Sequence, residues 1–438
     1  MNYLMRYYQL VLLSFLLFFT LSLSGQETSK LNEWLRTKKI ALEPTVGVQL
    51  WSSYTFGTAV YNAEQQRYEQ VDNRLNFQLR RTRFGFKGTA YERLKYNLLF
   101  SADAVGRDVL AGTEGGANNG GSPRLGLWNA YLQWQVIPNS DKLDVVFGYQ
   151  VPQIGRESIT AALRSTSMEK AWSQNYLRRH LVGSGPGRAV GVNLGGLMLK
   201  EERAINWSYD IGIFNPRQIA FAGTSAGQQY APLVTARAVA YIGDSETQHY
   251  STGHKVNYFG QRHGLSLGIA AAHQGETELY QRNEVVGGDF LFNWGAWSID
   301  GEWHQLRRED WMVIDNSTTS VRANANTGYL RLSYTHETAK SHFIEPLLMF
   351  VFLDGAMDEA GQAKAAALQT FAGQEQIWDI GINYYLNPDL KFSLHYTHRL
   401  GDAGAAGDGA VFNNYFFQSG VGAIQRGDWL GLGLVAIL

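Results

Sequence analysis

The chain has 438 residues, 45% of them hydrophobic and 13% aromatic, with 47 Gly, 9 Pro and no Cys, and a formal net charge of -1 at pH 7. Without Cys there is no disulfide framework, no thiolate metal site and no lipid-modified N-terminal Cys. The mean hydropathy of -0.23 does not exclude a membrane protein, because the wall of a transmembrane barrel is apolar only on alternate residues.

Arg6 precedes an apolar run from Leu10 to Phe19, followed by the small residues Ser22, Ser24 and Gly25. This pattern predicts a cleavable secretory signal over residues 1–25, with an uncleaved anchor as the alternative. No later segment offers the ~20 continuous apolar residues of a membrane helix. A short polar segment, 26–43, follows, with a helical start from Leu31 to Lys39.

From Pro44 onward a period of two takes over, as a half-buried strand requires. Leu143, Val145, Phe147, Tyr149 and Val151 share one face, while Asp144, Gly148 and Gln150 share the other. Strands are predicted near 44–60, 74–90, 92–105, 123–137, 141–152, 188–199, 204–215 and 232–242. The second half adds 263–274, 284–294, 296–307, 326–336, 342–353, 375–387, 389–400 and 427–438. About 16 strands, with few helices and no linker, point to an all-β transmembrane antiparallel barrel over 44–438 rather than a large soluble sandwich. Asn387-Pro388-Asp389 and Val136 to Asp141 suit short turns, while Ala111 to Ser122 and Asp354 to Gly373 suit exposed loops. Trp128 with Trp134, and Trp297 with Trp303, suit interfacial girdles.

Charge is uneven along the chain. Arg74, Arg80, Arg81, Arg83, Lys87, Arg93 and Lys95 cluster with Glu92 alone, and Arg156, Arg164, Lys170, Arg178, Arg179 and Arg188 cluster with Glu157 and Glu169. A charge facing lipid near the midplane costs roughly 2–4 kcal/mol, so these side chains turn to the lumen or a rim. In the strand at 74–90, Phe84 and Phe86 facing lipid send Arg81, Arg83 and Lys87 inward, yet Leu75, Phe77 and Leu79 share that inward parity. The conflict implies a bulge or a rim position. Between Gln153 and Arg188 alternation stops, and Ile159, Ala162, Leu163, Met168, Trp172 and Tyr176 recur at helical spacing. Glu157 near the start and Arg178, Arg179 and His180 near the end match the helix dipole. The expectation is a partly helical constriction loop, 153–188, folded into the lumen; the alternative is a loop resting on the rim.

Several patterns mimic other chemistry. Gly264-Leu265-Ser266-Leu267-Gly268 has nucleophile-elbow spacing but continues as a strand. Gly183, Gly185 and Gly187 lack the Lys-Ser or Lys-Thr of a phosphate loop. His395 and His398 fall on opposite strand faces and cannot share a metal. Asp354, Asp358 and Glu359 lack the spacing of an EF-hand. No nucleic-acid fold signature accompanies the Arg clusters, and no cofactor motif stands out.

The run RRTRFGFKGTAYERLKYNLLFSAD at 80–103 resembles the second and third strands of phosphate-selective porins of the O and P type. The run GYQVPQIGRESITAALRSTSMEKAWSQNYLRRHLVGSGPGRAVGVNLGG at 148–196 resembles that family's constriction region. Arg80, Arg81, Arg83, Lys87, Glu157, Met168, Glu169, Arg188 and Gly191 are the matching positions. The resemblance implies a homotrimeric 16-stranded barrel in the outer membrane of a Gram-negative-type bacterium, with basic residues along an anion path. Two features depart from it: no complete arginine staircase maps onto the chain, and the last residue is Leu438 rather than an aromatic.

The expectation is therefore a non-enzymatic porin for small hydrophilic solutes, anions such as phosphate above all. Its partners are outer-membrane lipid and the solutes themselves. The candidate path residues are Arg81, Arg83, Lys87, Arg156, Arg164, Lys170, Arg178, Arg179 and Arg188. The alternative is a non-conducting barrel that serves an envelope complex as a binding or assembly component. The acidic balance of the chain outside the two basic clusters favours that alternative.

Overall fold

The computed structural model describes residues 33–62, 64–108, 110, 124–200, 204–216, 229–314, 317–402, 404, 415–418 and 422–438, and omits the side chains of 312–314, 317, 415–418 and 422–423. The expected signal segment and the loop at 111–122 lie outside these residues.

Sixteen antiparallel strands close into one ring: Ile40–Phe56, Arg74–Ala90, Leu94–Ser101, Gly126–Gln135, Asp144–Gln150, Ala189–Met198, Ile205–Asn215, Leu233–Gly243, Gly264–Gln274, Arg282–Trp294, Trp297–Ile314, Ser317–Tyr334, His342–Asp354, Gln374–Asn387, Leu390–Asp402 and Asp428–Ile437. The last strand pairs with the first, from Gly47 opposite Ile437 to Phe56 opposite Asp428. The Leu438 and Val46 backbones exchange hydrogen bonds of 2.7 and 3.2 Å, so the last residue helps to seal the wall. Closure leaves no strand edge unpaired in lipid.

Every predicted strand is present. Two run longer than alternation alone suggested, Trp297–Ile314 and Ser317–Tyr334. Beyond the apolar belt their outer faces carry Arg307, Glu309 and Arg322, which pair with one another, and backbone pairing continues without any apolar pattern. The first strand starts at Ile40 rather than residue 44, and residues 33–37 are helical. Within the expected loop 354–373 an Ala-rich helix forms, Glu359–Ala367, with the Asp358 side chain capping it through the Gly361 N–H at 2.8 Å. A small second sheet of Tyr415–Gln418, Gly422–Gln425, Ala59–Asn62 and Arg67–Gln70 lies at the long-loop end.

The outer face is apolar, with Ile269, Ile380 and Leu432 all more than half exposed, while the inner face carries buried Asp289, Asp300, Arg331, Asp379 and Asn383. Trp134, Trp297 and Trp303 face outward as expected of a girdle. Trp128 does not, for a reason that lies in the backbone.

Two bulges re-aim side chains, one on Arg74–Ala90 and one on Gly126–Gln135. Gln49 pairs with Arg81 while Leu50 pairs with Leu79, so Arg80 is an extra residue. That shift resolves the parity conflict: Leu75 and Phe77 face outward, while Arg80, Arg81 and Arg83 are buried inside. Likewise Leu99 pairs with Asn129 and Phe100 with Leu127, which makes Trp128 the extra residue and turns it inward. Bulges commonly re-aim side chains in this way beside functional sites.

Candidate functional site

Two segments enter the lumen from opposite ends. Residues 153–188 descend from the long-loop end, not as one helix but as the helix Arg156–Ile159, a 3-10 turn Ala162–Arg164 and the helix Ser173–Val182. The irregular stretch between them lets the chain reach the far end, where Arg164 pairs with Asp389 at 2.5 Å and donates to the Pro388 carbonyl at 2.9 Å. Residues 244–263, between the strands Leu233–Gly243 and Gly264–Gln274, enter from the short-turn end. The two meet through backbone bonds, Ala161 N–H to the His254 carbonyl at 3.0 Å and His254 N–H to the Ile159 carbonyl at 3.3 Å.

Ion pairs lock this junction. Arg156 is fully buried and holds Glu246 through two bonds of 2.8 and 3.1 Å and Asp289 through one of 3.0 Å. Arg237 shares Asp289. Arg331 pairs with Glu157 at 2.7 Å and with Asp300 at 2.8 Å. Glu302 accepts from the Glu157 N–H at 3.0 Å and the Ser173 hydroxyl at 2.9 Å, tying both helices to the wall. Burying charges costs several kcal/mol each unless partners surround them, and here they do.

The predicted path residues divide into four groups. Arg156 and Arg164 are structural, committed to carboxylates. Arg81 and Arg83 are inside and paired, Arg81 with Gln49 and Glu169, Arg83 with Asp103. Arg178 and Arg188 are buried among neutral acceptors: Arg178 donates to the Ser158 carbonyl at 2.6 Å, and Arg188 to Asn129 at 3.0 Å and the Pro186 carbonyl at 2.6 Å. Lys170 donates to the Glu157 and Thr160 carbonyls. Lys87 sits on the inward parity at an open mouth, 3.6 Å from Glu43 with both side chains more than half exposed. Arg179 is exposed on the second helix.

One sector of the lumen keeps solvent. Inward side chains on the strands from Gly264 to Asp402 are mostly buried, whereas Lys87, Lys95, Asn97 and Trp128, on three adjacent strands, stay partly open. There the bulged Trp128 indole lies between two guanidiniums, Arg83 at 3.6 Å and Arg188 at 3.5 Å from its centroid, each a cation–π contact worth roughly 0.5–2 kcal/mol. Gly187 has a left-handed φ of +63, and a Cβ there would lie 2.2 Å from Arg178 Cγ. Only glycine seats that side chain.

Electrostatics in the constriction loop follow from this layout. Burial pulls Arg178 down to about 10, with Arg81 and Arg83 adding repulsion that Glu157 and Glu302 partly offset. Lys170 is lowered by burial first and then by Arg178, Arg81 and Arg188. Glu169 moves the other way: burial alone would raise it, and Arg80 and Arg81 bring it to about 2.

The profile of the family described as phosphate-selective porin O and P matches residues 57–403. The chain belongs to that family. A search of curated proteins found no match. Among solved structures, the outer membrane channel DcaP of Acinetobacter baumannii aligns with a TM-score of 0.50 at 11% identity, covering 91% of this chain and 97% of that one. An anion-selective porin from Comamonas acidovorans aligns with a TM-score of 0.50 at 13% identity, covering 91% and 100%. At such identities the likeness concerns the fold, a multi-pass barrel of the outer membrane. The short-turn end of the porin is therefore its periplasmic end.

Other motifs of the porin take their places in the wall. Ser266 is buried on a strand and accepts from Arg262 at 2.8 Å, in no elbow. His395 faces inward to Asp379 at 2.6 Å, and His398 faces outward to Asp428 at 2.7 Å. Gly183 ends the second helix, and its N–H donates to the Arg179 carbonyl at 3.1 Å. Among the described residues no three acidic or histidine side chains group as a metal site. Sequence reasoning placed Lys95 in the basic cluster without naming it a path residue, and missed the inward Trp128, Arg237, Arg331 and the inward carboxylates Asp103, Glu246, Asp289 and Asp300. Inward parity was the available signal for the last two. Nothing in local pattern pointed to Trp128 or Glu246.

Proposed function

We propose that this porin is a passive channel for small hydrophilic solutes that favours anions such as phosphate, along the sector beside Lys87, Lys95, Arg83, Trp128 and Arg188. The observation that carries the reading is the charge on Arg178 and Arg188. Among the described residues neither has a carboxylate within ion-pair distance, so their field is not cancelled locally. Arg179, exposed on the second helix, adds to that field from the extracellular side. Fixed cations in a narrow path with low-dielectric walls raise the local anion concentration and repel cations without any covalent step. The acidic balance elsewhere does not oppose this, because Asp103, Glu157, Glu246, Asp289 and Asp300 are spent on buried arginines. A homotrimer, as the family resemblance implies, is the assembly expected of the detergent-purified protein by mass measurement, and residues 1–25 are expected to be cleaved on export.

The extent to which two segments fill the lumen favours a second reading, a barrel that conducts little and serves an envelope complex. Liposome swelling separates the two. Vesicles containing the porin are expected to swell faster in an anionic solute than in neutral or cationic solutes of equal size. Fastest swelling with the cation would overturn the anion preference, and no swelling with any solute would favour the second reading.

A further inference from the structure

At the extracellular end, just above the apolar belt, the wall is notched. Strand Ser317–Tyr334 pairs with His342–Asp354 only from Asn326 opposite Asp354 to Ser333 opposite Leu347. Among the described residues, 317–325 pair on one side alone, with Trp297–Ile314. Gly355 leads the chain away towards the helix Glu359–Ala367, where Ala365, followed by Leu368, packs against the inward side chains of Val321 and Ala323. The helix thus closes the notch from the lumen side. An open hollow of about 410 Å³ remains, and its polar lining residues are Arg322, Asn324, Asn326, Asp354, Asp358 and Lys364. Small-ligand sites span roughly 300–1,000 Å³.

The lining carries both signs of charge, and each has bonding capacity left. Lys364 is exposed and has no ion pair among the described residues. Arg322 is half exposed; its Nε and one Nη reach a single Glu309 oxygen at 3.2 and 3.1 Å, an oxygen that Arg307 also binds at 2.9 Å. The other Nη is left for a further acceptor. Asp354 takes the Gln374 amide at 3.0 Å and Asp358 the Gly361 N–H at 2.8 Å. An ionised carboxylate has about four lone-pair sites, so both accept more. Two cations suit a phosphate, by charge-assisted bonds; carboxylates and the Asn324 and Asn326 amides suit hydroxyls.

Below the notch the same outer faces turn apolar. Phe352 stands opposite Gly328, Phe350 opposite Leu330 on one side and Trp378 on the other. The Phe350 ring centroid lies 6.2 Å from that of Phe352 and 4.6 Å from that of Trp378, and Leu330 is half exposed beside them. An occupant that satisfies both levels is amphipathic: a phosphorylated, hydroxyl-rich head in the notch and acyl chains on the aromatic strip. The position is the head-group level of the outer leaflet, where basic side chains recognise anionic lipid. A free sugar phosphate would leave the strip unused, and a simple phosphodiester lipid would leave the carboxylates and amides unused.

We propose that this notch binds the phosphorylated saccharide head of one outer-leaflet glycolipid, with Arg322 and Lys364 on a phosphate and Asn324, Asp354 and Asp358 on sugar hydroxyls. The site is on the outside of the barrel and independent of the lumen, so loss of the permeation reading would leave it intact.

Native mass spectrometry of the detergent-purified porin, titrated with core-truncated lipopolysaccharide, tests this. One tightly held glycolipid per protomer is expected, at concentrations where phosphatidylglycerol and enzymatically dephosphorylated lipopolysaccharide leave the protein bare. Equal occupancy by either of those lipids, or displacement of the adduct by inorganic phosphate at equal concentration, overturns the proposal. In the Arg322→Gln and Lys364→Gln double variant the lipopolysaccharide concentration for half-occupancy is expected to rise at least tenfold, while ion selectivity in bilayers stays that of the parent. Unchanged occupancy in the variant contradicts the site. Should the double variant not fold, Lys364→Gln alone, an exposed change that breaks no ion pair among the described residues, decides by the same titration, with weaker binding expected and unchanged binding refuting.

Discussion

Glu169→Gln tests the electrostatic logic of the constriction at a single atom exchange. Arg80 Nε donates to this carboxylate at 2.8 Å, Arg81 donates to its other oxygen, and the Lys170 N–H caps it at 2.8 Å. The group titrates at about 2 in the folded chain, against a reference of 4.5. About 2.5 pH units at 1.36 kcal/mol each make its charge worth on the order of 3 kcal/mol. Because the folded pKa is depressed, that stability is fully present above pH 4.5 and drains away as pH falls towards 2. Equilibrium urea unfolding in lipid vesicles is the assay. At pH 7 the variant is expected to be less stable by about 3 kcal/mol, and the gap is expected to shrink steadily below pH 4.5. Equal stability at pH 7, or a gap that does not change with acid, would refute the reasoning.

Other substitutions probe the remaining parts. Arg188→Gln removes a guanidinium that has no carboxylate partner, so folding should persist while the anion-to-cation permeability ratio falls in bilayer recordings; an unchanged ratio would remove Arg188 from the path. Glu246→Gln takes one of two carboxylates from buried Arg156 and loosens the periplasmic segment. A rise in single-channel conductance is expected, and an unchanged value would mean that residues 244–263 do not limit flow. Gly187→Ala forces Arg178 from its seat at a left-handed φ, with an expected destabilisation of roughly 1 kcal/mol or more and a change in selectivity. Stability equal to that of the parent in urea would show the seat to be slack.

Nearly all of the barrel is legible in the alternation of the sequence, because an inside-outside wall imposes a period of two on every strand. Alternation also signalled a bulge or a rim position through two apolar runs of opposite parity on one strand, and the register shift puts the bulge at Arg80. The same logic misplaced Trp128, since a tryptophan near a strand end looks the same whether it faces lipid or, after a bulge, the lumen. The inward turn of 153–188 was legible as a break in alternation. That of 244–263 was not, for its anchors, Glu246, Tyr250, His254 and Asn257, gain meaning only from partners that are distant in the chain: Arg156, Asp210, Ile159 and Glu345. Pairing likewise decided which basic residues matter. Arg156 and Arg188 look alike in sequence, yet one is neutralised by two carboxylates and the other by none.

The zero-current potential across a planar bilayer under a salt gradient, with the purified porin inserted, addresses anion permeation most directly. Permeation along the Lys95, Arg83 and Arg188 sector predicts a potential displaced towards the chloride equilibrium value, reduced in Arg188→Gln. A potential displaced towards the cation value would contradict it.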